Sequence, residues 1–179
     1  MLFLQHILNG LLAGSYYLLI ALGLSLIFAL GGIVNLAHGA FYAIGAYLAI
    51  TIGERLGFTG AVLLSPVAVG ILGVVVERLL LRRFYKADPS LSLLLTFGLA
   101  MVIEQVLRMI YGAPPLAWAI PQELKGQVIL GDFFYPKYRT LVIAVAVACV
   151  AGLWFLLQKT AFGRIVRAGV QNQIGRAHV

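Results

Sequence analysis

"MLFLQHILNGLLAGSYYLLIALGLSLIFALGGIVNLAHGAFYAIGAYLAITIG", residues 1–53, contains no Asp, Glu, Lys or Arg. At roughly 20 residues per crossing it is long enough for two membrane helices. The rest of the chain keeps this character. Of its 179 residues 62% are hydrophobic and 11% charged, against about 45–50% and about 25% in an ordinary soluble domain. A soluble domain of this composition would present large apolar patches to water, so lipid is the solvent that fits. The first apolar run is not a cleavable signal peptide: it lacks a basic leading region and exceeds the usual ~7–15 residue apolar core. The net charge of +7 does not indicate nucleic acid. Lys and Arg lie mostly between apolar runs, where membrane proteins carry orientation signals.

Working outward, five apolar spans stand out, at residues 4–28, 34–52, 60–80, 91–111 and 140–157. The expected fold is all-α: a polytopic integral membrane helical bundle with about five transmembrane helices. A short polar stretch at 53–58, with Glu54 and Arg55, separates spans two and three. Residues 82–90 read as a loop from their charge and Pro89. Residues 112–139 form a long connection with four prolines. Arg78, Arg82, Arg83 and Lys86 flank the loop after span three, and Lys159, Arg164 and Arg167 follow span five. Two spans separate these clusters, so both are expected on one side, which the positive-inside rule makes the cytoplasm. Lys125, Lys137 and Arg139 in the outer connection run against that rule, partly offset by Glu123 and Asp132. Gly10 and Gly14 form a GxxxG pair suited to close helix approach. Cys149 stands alone in an apolar run, which excludes a disulfide within the chain and suggests a buried small hydrophobe.

The stretch 31–49 places Asn35 and His38 among Gly31, Gly32, Gly39 and Gly45. Two readings are open. The segment is a turn with Asn35 capping the following helix, or it is a helix break lining a solute route, its backbone satisfied by protein or water. Thr96 and Gly98 either allow tight helix contact, or Thr96 bonds its own helix backbone. Glu104 and Arg108, four apart, share one helix face. They form a structural pair near the membrane surface, or they face the bundle interior or water. No catalytic constellation is present: there is no GxxxxGK[ST] loop, no HExxH and no paired-cysteine metal spacing. Neither cofactor nor metal is expected.

"GLSLIFALGGIVNLAHGAFYAIGAYLA" (23–49), "VVVERLLLRRFYKADPSLSLLLTFGLAMVIEQVLRMIYG" (74–112) and "KTAFGRIVRAGVQN" (159–172) resemble, in this order, the LivH-type permease subunit of branched-chain amino acid ABC importers. The resemblance covers nearly all of residues 5–172. It implies residence in the bacterial inner membrane and alternating access driven by ATP hydrolysed on another subunit. The implied partners are a second permease subunit, cytoplasmic ATPase subunits, a periplasmic solute-binding protein and membrane lipid. It makes Asn35, His38, Gly39, Gly45, Thr96 and Glu104 candidates for the translocation path. The basic, amphipathic segment 159–172 would by itself suit a membrane surface. The resemblance makes it a segment docking into the ATPase, with Phe162, Gly163, Arg164 and Arg167 as coupling candidates. Alternatives are a permease for another small solute (an amide, urea or a sugar), a passive channel with Asn35 and His38 in its pore, and a scaffold without transport. Members of the family commonly have about eight spans, so residues 1–172 are expected to be the N-terminal part of a permease domain. Residues 173–179 are expected to be a non-native tail: the codons ATC GGA AGA GCA CAC GTC, which begin a sequencing adapter, encode IGRAHV. Arg176 and His178 are therefore excluded from chemistry.

Overall fold

The computed structural model describes residues 2–84, 88–114, 116, 120–130 and 133–171. Among these described residues are five α-helices: α1 (Leu2–Gly31), α2 (His38–Leu79), α3 (Pro89–Tyr111), α4 (Lys137–Lys159) and α5 (Ala161–Gln171). Short 3-10 turns occupy Leu81–Phe84 and Gln122–Leu124. The chain divides into two compact units, Gly31–Ala119, and Met1–Leu30 together with Ile120–Val179.

Among the described residues four helices, α1 to α4, are long and apolar enough to cross a membrane. With 42 residues, α2 as a straight rod would be about 63 Å long, twice the ~30 Å hydrocarbon layer. It is not a straight rod. Gly57 has φ 72° and ψ −178°, a backbone region essentially reserved to glycine. A Cβ on Gly45 would lie 3.6 Å from Val69 Cγ2, whereas a continuous helix would hold those residues about 36 Å apart. The chain therefore reverses at Gly57, midway between them, and α2 is two antiparallel halves. These are the expected second and third spans. The polar stretch expected at 53–58 shrinks to one non-helical residue, because glycine absorbs the whole change of direction. Gly53, Ala61 and Ser65 near the reversal are buried, and small residues of this kind let two helices approach closely in lipid.

α3 starts on a built cap. Asp88 accepts the Ser90 N–H on Oδ1 at 2.8 Å, and Pro89 occupies the first turn, where its missing N–H costs nothing. The helix ends at Gly112, whose N–H donates to the Arg108 carbonyl at 2.9 Å.

In the other unit, the connection read as a loop contains a hairpin, β1 (Gln127–Leu130) paired antiparallel with β2 (Phe133–Pro136). Gln127 pairs with Pro136 and Leu130 with Phe133. The sequence does carry the signal: two four-residue runs separated by Gly131-Asp132, a hairpin dipeptide. Tyr135 of β2 is buried, and its hydroxyl donates to Asn9 Oδ1 of α1 at 3.4 Å. Arg139 Nη1 donates to the same oxygen at 2.7 Å, so one of the cations that ran against the orientation rule has a local partner. Nothing lies within 4 Å of a Cβ built on Gly10 or Gly14, so the GxxxG approach is not made among the described residues. Cys149 is exposed on α4, contrary to its expected burial. Phe3 and Tyr17 on α1, and Trp154 and Phe155 on α4, point outward. A span facing lipid or another subunit requires this outward apolar surface, and a water-facing helix would not carry it.

Candidate functional site

Between α1 and α2 the backbone leaves helical form, starting at Gly32 with φ 67°. Asn35 is buried. Its Oδ1 accepts the Ala37 N–H at 3.0 Å, and its carbonyl accepts the His38 N–H at 3.1 Å. This is an Asx turn, a side chain standing in for backbone, and it launches α2. Thr96 of α3 is fully buried. Its Oγ1 accepts the Leu36 N–H at 3.2 Å and lies 3.1 Å from the Leu93 carbonyl and 3.4 Å from the Val34 carbonyl. Thr96 stands about 10 Å into α3. The irregular backbone is thus satisfied by protein well inside a span, as an apolar layer demands. The turn reading holds, with Asn35 closing the turn, and the turn is tied to Thr96 of α3. Thr96 bonds its own helix as expected, and it also binds a segment 60 residues away.

A second tie joins the same helices. Thr51 Oγ1 and the Tyr111 hydroxyl are 2.9 Å apart, again 60 residues apart in sequence. The equal offset means that the first half of α2 and α3 run parallel. The rings of Tyr47 and Tyr111 stack with centroids 4.5 Å apart. Between the two ties lies a cavity of about 410 Å³, lined by Gly39, Ala43, Tyr47, Ala100, Glu104 and Arg108 among others. Arg108 Nη2 donates to Glu104 Oε1 at 2.6 Å and Nε to the same oxygen at 3.2 Å. Both side chains are exposed, at 59% for Arg108 and 62% for Glu104. No spacing in the sequence brings Tyr47, Thr51 and Tyr111 together. Its only hint was an aromatic at the end of a span, where membrane–water interfaces favour Tyr.

The turn from α4 to α5 is equally local. Thr160 Oγ1 accepts the Gly163 N–H at 3.2 Å, and the Thr160 carbonyl accepts the Arg164 N–H at 3.2 Å. Thr160 therefore acts as the N-cap of α5, a role its position three residues before Gly163 could have signalled. Gly163 is buried, and a Cβ there would run into the Leu157 carbonyl. Arg167 Nη1 donates to the Leu157 carbonyl and, at 3.2 Å, to Gln158 Oε1. A cation on the last carbonyls of a helix suits the negative end of its dipole. Val166 is buried and Arg164 exposed, so α5 has one face against its own unit and one face free. A cavity of about 320 Å³ lies beneath it, lined by Leu22 and Leu26 of α1, Leu153 and Leu157 of α4, and Val166 and Arg167.

Of the path candidates, Asn35 and Thr96 support the turn, Gly39 and Glu104 line the larger cavity, His38 is half-buried at the start of α2, and Gly45 packs on Val69. Of the coupling candidates, Gly163, Arg164 and Arg167 shape α5, while the side chain of Phe162 lies outside the described residues. Lys86, Asp132 and residues 173–179 also lie outside them. Among the described residues no cluster of His, Cys, Asp or Glu could hold a metal ion.

The family model described as "Branched-chain amino acid transport system / permease component" matches residues 6–176. The chain is 26% identical, over 95% of its length and 60% of the relative's, to the high-affinity branched-chain amino acid transport system permease protein BraD of Pseudomonas aeruginosa. It is 26% identical to the permease protein LivH of Salmonella typhimurium, over 95% of its own length and 59% of the relative's. It is 28% identical to a probable LivH of Methanocaldococcus jannaschii, over 94% of its own length and 55% of the relative's. The chain thus spans about three fifths of the length of the curated relatives it matches. No solved structure matches it.

Proposed function

The chain belongs to the branched-chain amino acid transport permease family, and on that premise we propose that it forms part of the membrane route of an ABC importer for branched-chain amino acids. The observation that carries this reading is the family match across residues 6–176, on a chain whose apolar helices suit a bilayer. The proposed setting is a cytoplasmic (inner) membrane. A second permease subunit adjoins the exposed apolar faces, a solute-binding protein delivers from outside, and ATPase subunits dock inside. ATP hydrolysis belongs to those partners. The exposed face of α5, with Arg164, supports the docking role. A short helix folded rigidly on the end of α4 would pass an ATPase's motion into the bundle, biasing it between two states by its differential affinity for them. Leu, Ile and Val are zwitterions with apolar side chains, and a mostly apolar route with few polar groups suits them.

The test is reconstitution of the full-length permease pair with its ATPases and binding protein in proteoliposomes. ATP-dependent uptake of labelled leucine is the expected result. Leucine flux without ATP would make the protein a passive channel. ATP-dependent uptake confined to an amide, urea or a sugar would reassign the substrate.

A further inference from the structure

We infer that the cavity between the first half of α2 and α3 is a zwitterion-reading subsite, in which Glu104 and Arg108 receive the α-ammonium and α-carboxylate of a neutral amino acid. This rests on the proposed transport function and names the groups that would recognise the substrate. Several observations carry it. Glu104 lies about 10 Å in from the last residue of α3, within a span, yet its side chain is 62% exposed. Lipid is the neighbour least able to accept a charge at that depth, so such residues face water or other protein. The pair also borders an open cavity of about 410 Å³, within the range of small-ligand sites.

The pairing itself is one-sided. Both guanidinium bonds fall on Oε1, which leaves Glu104 Oε2 free to accept an ammonium N–H and leaves Nη1 free to donate to a carboxylate. Opposite charges 2.6 Å apart match a zwitterion, whose own charges are separated by two bonds through one carbon. The remaining wall is apolar or small, with Ala43, Ala100 and Ile103 beside Tyr47, so an aliphatic side chain has a surface to rest on. The site's net charge is zero. A neutral amino acid leaves it so, whereas a net-charged one would bring a charge for which the site holds no partner.

The experiment uses the full-length permease in its assembled complex. Native cysteines, Cys149 among them, are replaced by Ser, and Ala43→Cys supplies a thiol in the cavity wall for a methanethiosulfonate reagent. Leucine is expected to protect that thiol. Isoamylamine, which lacks the carboxylate, and 4-methylpentanoate, which lacks the ammonium, are expected not to. Equal protection by either half-analogue, or none by leucine in a complex that still takes leucine up, would overturn the subsite. Glu104→Gln and Arg108→Gln should each lower leucine uptake at least about tenfold, the scale of one charge-assisted hydrogen bond, with the complex still assembled. The exchange Glu104→Arg with Arg108→Glu restores a structural pair but reverses the site's polarity against its apolar wall. Assembly without uptake is expected. Restored uptake would make the pair structural, and lost assembly would make it a subunit contact. If the unaltered complex transports no branched-chain amino acid at all, the proposed function fails instead.

Discussion

Thr96 Oγ1 serves a backbone N–H that no helix serves, that of Leu36. Thr96→Val keeps the shape and removes the acceptor, and stranding a buried donor costs about 1–3 kcal/mol. The full-length subunit in detergent should lose stability by that amount and melt at a lower temperature, while Thr96→Ser should melt close to the parent. A Val variant with an unchanged melting temperature would show that the hydroxyl does not hold the turn. Asp88 makes a pH-dependent counterpart at the other end of α3. The Ser90 backbone N–H, and then its side chain, hold the Asp88 carboxyl below its usual range. With the folded value depressed, its contribution to stability is fully present above the unfolded value near ~3.9. It is lost as pH falls through the folded value. Acid should therefore loosen the start of α3, as read by amide exchange at residues 90–93. Asp88→Asn, a cap of similar quality without a titrating charge, should remove that dependence on pH.

At the scale of the element, one glycine turns a 42-residue helix into a hairpin. Gly57→Ala forces a Cβ into a backbone region that costs of order 1–3 kcal/mol for other residues. Gly70→Ala, in the same helix, meets nothing within 4 Å and should be neutral or slightly favourable. Thermal unfolding of the two variants side by side separates reversal strain from a general intolerance of alanine. The contrast also shows what was legible in advance. Glu54, Arg55 and two apolar runs were enough to place a reversal, because charge and span length are written locally. That the reversal would fall on Gly57 alone was not legible: several residues there tolerate a turn, and packing of Gly45 on Val69 decides among them. For the same reason Asn35 was legible as a turn residue, while its support by Thr96 from 60 residues away was not. The hairpin at 127–136 was spelled out by its central dipeptide and lost among the prolines around it.

At the scale of the whole molecule, coupling to an ATPase requires one part of α5 to hold its own unit and another to meet the partner. Under the proposed function these fall to different arginines that the sequence could only group together. Arg167 donates to the Leu157 carbonyl and to Gln158, so it fixes the angle between α4 and α5. Arg164, three residues earlier, lies on the exposed face. Arg164→Glu should leave the melting temperature of the permease unchanged and sharply reduce co-purification of the ATPase subunits, because a reversed charge repels the acidic surface a cationic helix would meet. Arg167→Gln should lower the melting temperature first, since it strips the α4 carbonyls of their cation, with ATPase binding reduced only as the elbow opens. The two variants thus predict opposite orders of loss. Undiminished ATPase recovery with Arg164→Glu would remove α5 from the coupling interface. The same segment would then be a helix lying on the membrane surface, where a basic face toward lipid headgroups accounts for it equally well.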